Sequence, residues 1–121
     1  MKIERFEDVD SWKKARLLVR DVYRLLTSCK DYGFKDQMQR AAVSVMSNIA
    51  EGFDRGSNRE FTQFLVISRG SVSEVKSLAY AGFDIGYLDE RSFQVICAHC
   101  VKLVNVIDGF IRYLKASSRR T

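Results

Sequence analysis

The residues with the most chemistry in reach are Cys97, His99 and Cys100, in the run Cys97-Ala98-His99-Cys100. Zinc takes about four Cys or His ligands, commonly as two separated pairs. Cys29 is the one other cysteine and His99 the one histidine. Helical spacing puts Cys97 and Cys100 on one apolar stripe and turns His99 away from it. The cysteines are therefore expected as small apolar core residues, with no metal and no cofactor. Three thiols cannot all pair within one chain, and their spacing is not that of a secreted disulfide framework.

Other catalytic patterns are equally thin. His99 has no nucleophile beside it in sequence and reads as an interface histidine. Asn48 and Glu51 share a helical segment, but a single Glu is weak support for acid–base work; a structural hydrogen bond or a helix-end role suits them better. No Gly-rich phosphate loop, Walker lysine or nucleophile elbow is present. The Glu-x-x-His pair of a carboxylate di-metal bundle is missing too. No catalytic residue is assigned, and a non-enzymatic protein is expected.

The basic residues carry more. The chain has 20 Lys and Arg against 15 Asp and Glu, a net charge of +5. Residues 1–30 hold eight basic and five acidic groups, residues 31–101 seven and nine, and residues 102–121 five and one. The excess thus sits at the two ends. Lys13, Arg16, Arg20 and Arg24 recur at spacings of three and four, so a helix places them in one strip. Like charges at that spacing cost a few tenths of a kcal/mol per pair (about 0.2–0.5). One reading is an ordinary solvated face. The other is a surface that contacts phosphates of RNA or DNA, with an affinity that falls steeply with salt. Arg112, Lys115, Arg119 and Arg120 are expected to add to the same end or side. No motif for reading bases is present.

The elements that must position these groups follow from periodicity and from what is absent. Among 121 residues there is no proline, where average usage near 5% predicts about six. That argues against a loop-rich fold and permits long helices. Residues 9–28 form the first helical segment, with Trp12, Ala15, Val19, Val22 and Leu26 on its apolar face. Residues 36–54 form the second, with a strip of mostly small residues at Ala41, Val45, Asn48 and Gly52 that predicts close packing. Ser57-Asn58-Arg59-Glu60 fits a capping box and opens the third, residues 58–82. Gly70 sits inside it at a cost of about 1 kcal/mol against Ala, which a backbone contact would offset. Asp89 caps the fourth, residues 90–116, and a basic tail spans 117–121. Short connections between long helices predict one all-α domain, an up-down-up-down antiparallel four-helix bundle, with both chain ends at one end.

A second apolar strip on the third helix contains Ile67, and one on the fourth contains Val95, His99, Val106 and Tyr113. Wide stripes suit either a well-buried helix or a homo-oligomer interface, and the oligomer is the reading favoured here. No stretch approaches the roughly 18–20 continuous apolar residues of a membrane helix, and the run Met1 to Phe6 lacks the apolar core of a signal peptide. A cytoplasmic protein without membrane contact is expected.

The run Gln39-Arg40-Ala41-Ala42-Val43-Ser44-Val45-Met46-Ser47-Asn48-Ile49-Ala50-Glu51-Gly52 resembles the signature of the small bacterial four helix bundle proteins encoded in intervening sequences of 23S ribosomal RNA genes. Phe6 to Ala15, Arg55-Gly56-Ser57, Glu60-Phe61, Phe64-Leu65, Gly70-Ser71 with Glu74, and Gly86-Tyr87-Leu88 extend the resemblance over nearly the whole chain. Met46 stands where a proline is often found, and Ser68-Arg69 where a small pair is usual. The resemblance implies a left-handed antiparallel bundle that assembles as a ring, typically a homopentamer. It also implies kinship with the accessory protein of diversity-generating retroelements, which works with a reverse transcriptase and nucleic acid. A protein–protein adaptor for such a partner is the alternative that follows.

Overall fold

The structure, a computed structural model, describes residues 3–117. A short 3-10 turn, Phe6–Asp8, leads into four helices: α1 (Asp10–Leu25), α2 (Tyr32–Asp54), α3 (Asn58–Ile85) and α4 (Glu90–Ala116). Three of the four starts are capped by side chains that the first turn requires. Asp31, Ser57 and Asp89 accept hydrogen bonds from the backbone N–H of Phe34, Glu60 and Ser92. The Ser57 hydroxyl also donates to the Glu60 carboxylate at 3.3 Å, so the expected capping box forms with its acidic arm on the hydroxyl.

α4 covers the residues expected of it. α2 begins four residues before position 36, because Asp31-Tyr32-Gly33, read as a connection, is a cap and a first turn. α1 stops three residues before position 28, where the Thr27 hydroxyl donates to the carbonyls of Tyr23 and Arg24. α3 runs on past Gly82 to Ile85 and ends on Gly86, whose φ of 99° lies in the left-handed region that favours glycine. The N–H groups of Gly86, Tyr87 and Leu88 all reach back to the Gly82 carbonyl.

Cross-contacts fix the directions. Asn58, opening α3, donates to the Leu114 and Ser117 carbonyls where α4 closes. At the far end the Tyr87 hydroxyl, between α3 and α4, donates to the Asp31 carboxylate between α1 and α2 at 2.7 Å. Each helix is therefore antiparallel to the next. α1 packs on α2 and α4, so α3 lies diagonally across from it. The core runs the length of the bundle through Leu18, Leu26, Met38, Ile49, Leu65, Ile96, Leu103 and Ile107, all less than 2% exposed.

The expectation about membrane-length helices changes in one respect. α4 is long and apolar enough to cross a membrane by length and composition, with a mean hydropathy of 1.4 over its best 18 residues. Charged residues break its apolar run, but the average still passes. Ile96, Cys100, Leu103, Ile107 and Leu114 are buried against the other helices, as the core stripe of a bundle helix requires.

Candidate nucleic-acid interface

The strip on α1 forms because one face of the helix is committed to the core. Ser11, Ala15, Leu18 and Val22 are buried. Lys13, Arg16, Arg20 and Arg24 fall on the opposite side, and all four are exposed. Their surroundings differ. Arg24 hydrogen-bonds the Asp21 carboxylate at 2.8 Å. The Arg16 guanidinium lies 5.8 Å from the centre of the Trp12 ring, and Trp12 is braced edge-on by Phe6 at 5.2 Å. A cation over an aromatic face is held without being neutralised. Lys13 and Arg20 form no ion pair among the described residues, while the neighbouring Lys14 is taken by Asp10 at 2.9 Å. Three cations, Lys13, Arg16 and Arg20, thus keep their charge along the outward ridge of α1.

His99 has an intramolecular partner, which sequence spacing alone did not reveal. Its Nε2 lies 2.7 Å from the second oxygen of Asp21. Asp21 therefore joins the α1 ridge, through Arg24, to α4. His99, expected at an interface, meets α1 of its own chain. Val106, a heptad further along, takes the same side of α4 and is half-buried, as is Val95. Tyr113 stays 56% exposed, with its ring stacked on Phe110 at 6.2 Å. Of the second apolar strip of α4, His99 meets α1 and Tyr113 stays in water.

The same helical phase separates the C-terminal cations from the α1 ridge. Asp108 turns to α3, where it accepts a 2.6 Å hydrogen bond from Arg69. Arg112 and Lys115 follow Asp108 by four and seven residues, so they share its side of α4. Both are exposed, and the Arg112 guanidinium lies over its own helix, 3.7 Å from where a Cβ at Gly109 would sit. Arg119 and Arg120 lie outside the described residues.

The expected packing positions divide. Ala41 and Gly52 are buried in α2. A Cβ added to Gly52 would meet the Phe64 Cβ at 2.6 Å, so the small strip does admit α3 closely. Asn48 donates to the carbonyl and hydroxyl of Ser44, whose hydroxyl meets that of Ser71 at 2.9 Å. The buried Ser68 hydroxyl donates to the Val45 carbonyl at 2.8 Å. Glu51 pairs with Arg55 at 2.9 Å. Gly70 is different: it is exposed and a Cβ there would meet nothing within 4 Å. No contact within the protomer offsets its cost. Ile67 is also left 52% exposed.

The cysteines sit where core residues sit. Cys29 and Cys100 are buried and Cys97 partly so. Burial pushes the Cys100 thiol up to about 12 and raises Cys97 as well, against a smaller opposing pull from Lys76. Neither is a thiolate nucleophile at neutral pH. Among the described residues no three His, Cys, Asp or Glu side chains gather into a metal site.

One feature escaped the periodicity altogether. Between α3 and α4 lies a groove of about 230 Å³ lined by Arg69, Ser73, Lys76, Val101, Val104 and Asn105, with Val72 and Cys100 behind them. Arg69, Ser73 and Lys76 recur at spacings of four and three, a signal available on α3, but the groove depends on the register of a second helix.

Comparison with known proteins agrees with this architecture. The chain is similar in fold to a solved structure of a protein of unknown function from the S23 ribosomal protein family of Bacteroides thetaiotaomicron. The TM-score is 0.77 at 17% identity, covering 84% of this chain and 97% of that one. No curated protein matches the chain in sequence. The family model of the 23S rRNA-intervening sequence protein matches residues 7–109. This four-helix chain belongs to the 23S rRNA-intervening sequence protein family.

Proposed function

We propose that the protein binds structured RNA or DNA through phosphate contacts along the outward ridge of α1, and that it does so as a homo-oligomer. The observation that carries the binding reading is the set of un-neutralised cations Lys13, Arg16 and Arg20 on one exposed ridge. Lys13 to Arg20 spans seven residues, about 10 Å of helix, so the ridge presents several donors to one backbone. Such contacts position a nucleic acid without reading its sequence. The chemistry is binding: no nucleophile, metal cluster or thiolate is assembled among the described residues.

Self-association is supported by apolar surface that one protomer leaves in water. Val66, Ile67 and Ile85 on α3 are 54%, 52% and 61% exposed. Covering them in an oligomer would also repeat the ridge and multiply its affinity. A light-scattering mass equal to one chain at micromolar concentration rejects the oligomer.

The binding test is a gel-shift titration of a structured RNA against salt. Wild type should bind at about 50 mM salt and weaken steeply as salt rises. An Arg16→Glu/Arg20→Glu double variant should bind at least tenfold more weakly, with a salt slope smaller by about 2. Absence of binding by the wild type, or an unchanged double variant, overturns the reading.

A further inference from the structure

The α3–α4 groove lies on a different face from the α1 ridge, because α3 is diagonal to α1. On α3, Arg69, Ser73, Lys76, Tyr80 and Phe83 recur at spacings of four, three, four and three, a single stripe of about 21 Å. The stripe changes character along its length. At one end Tyr80 is 53% exposed and set edge-on against Phe93 at 4.9 Å, while Phe83 stacks on the same ring at 4.7 Å. Phe93 props both rings, so the exposed Tyr80 is held rather than loose. In the middle is the half-buried Lys76, which has no ion pair among the described residues. Beyond it Arg69 is held by Asp108. Ser73 and Asn105 add hydrogen-bonding groups between the cations.

A propped aromatic ring beside a row of cations in a shallow groove is the arrangement that takes unpaired nucleotides: a base stacks on the ring and the phosphates follow the charge. We propose that the α3–α4 groove holds a single-stranded segment of nucleic acid, with a base on Tyr80 and phosphates running past Lys76 and Arg69. The charge balance supports this occupant. Asp108 already engages Arg69, which leaves Lys76 as the groove cation without an ion pair among the described residues. A second copy covering the groove would have to bring an acidic residue to that lysine. The groove stands independently of the α1 ridge and would operate whether or not that ridge binds.

The test uses fluorescence anisotropy of a labelled oligothymidylate of about 8 nucleotides with the full chain at about 50 mM salt. Wild type, Tyr80→Ala, Tyr80→Phe, Lys76→Ala and the Arg16→Glu/Arg20→Glu variant are compared. Tyr80→Ala should weaken binding about tenfold, and Tyr80→Phe should retain it because the stacking face is kept. Lys76→Ala should lower the salt slope by about 0.7, one single-strand phosphate contact. The α1 double variant should lose only the ridge's share of the binding, and adding Tyr80→Ala to it should weaken what remains by about the same tenfold. Failure of the wild type to bind, or wild-type binding by both Tyr80→Ala and Lys76→Ala, overturns the proposal. A drop in light-scattering mass in those two variants with oligonucleotide binding intact also overturns it, and assigns the groove to a second copy of this chain.

Discussion

α3 is shared by two seams that are built in opposite ways. Against α2 it closes tightly: Gly52 admits the Phe64 side chain, the Ser68 hydroxyl reaches the Val45 carbonyl, and Ser44, Asn48 and Ser71 link in a short polar chain. Against α4 it stays partly open, with aromatic rings at one end, a groove in the middle and the Arg69–Asp108 pair beyond. Small side chains let backbones approach, and each hydroxyl that finds a carbonyl removes the cost of burying it. Long and charged side chains hold backbones apart and keep their ends in water. The two seams of one helix thus divide the work: the first fixes the register of the bundle, and the second leaves a surface for something else.

This contrast is open to direct attack. The largest effect is expected at Gly52→Ala, which would set a Cβ 2.6 Å from the Phe64 Cβ. Overpacking of this kind costs about 1–3 kcal/mol, and denaturant unfolding should place the variant near the upper end. A neutral result would mean that the α2–α3 seam is not tight. Ser68→Ala should cost about 1 kcal/mol, since the lost bond is buried although the Val45 carbonyl can keep its helical partner. Gly70→Ala carries the same kind of change as Gly52→Ala to the solvent face of α3, where nothing lies within 4 Å. It should stabilise by about 0.5–1 kcal/mol, so the two glycine variants differ in sign.

The last and smallest effect concerns the loop end, where both seams finish. The hydrogen bond from Tyr87 holds the Asp31 carboxyl below its usual range, and the Phe34 N–H contributes in the same direction. A depressed carboxyl stabilises the fold above its unfolded value near 3.8, and that stability is lost as pH falls through the folded value. Tyr87→Phe should therefore be less stable than wild type at pH 7, and the gap should close at acid pH below that window. An equal gap at both pH values would show that the contribution of the hydroxyl does not depend on the charge of the carboxyl it meets.

Much of the frame was legible from local patterns. The Ser57–Glu60 box, the Asp89 cap and the apolar stripe of α4 each act over a few residues, and each formed. The small strip through Ala41 and Gly52 announced the close α2–α3 approach because size alone decides that contact. The Asp31 cap was hidden by Tyr32-Gly33, whose types suit a turn as well as a first helical turn. Gly70 meets nothing within 4 Å in its own protomer, and an exposed glycine and a packed one look alike in sequence. The pairing of His99 with Asp21 and the α3–α4 groove both depend on the relative rotation of two helices. Nothing within either helix encodes that rotation by itself.

Asn58 ties the close of α4 to the start of α3 through the Leu114 and Ser117 carbonyls, on the same end of the bundle as the Phe6–Asp8 turn. The chain therefore leaves the bundle where it entered it. Rewiring of the order of helices becomes feasible: a flexible Gly/Ser bridge from the end of α4 to the first turn, with new termini opened between α1 and α2, would preserve every helix and every seam. In such a permutant α2 becomes the opening helix and α1 the closing one, so the ridge would be carried by the last helix and the groove by the two before it.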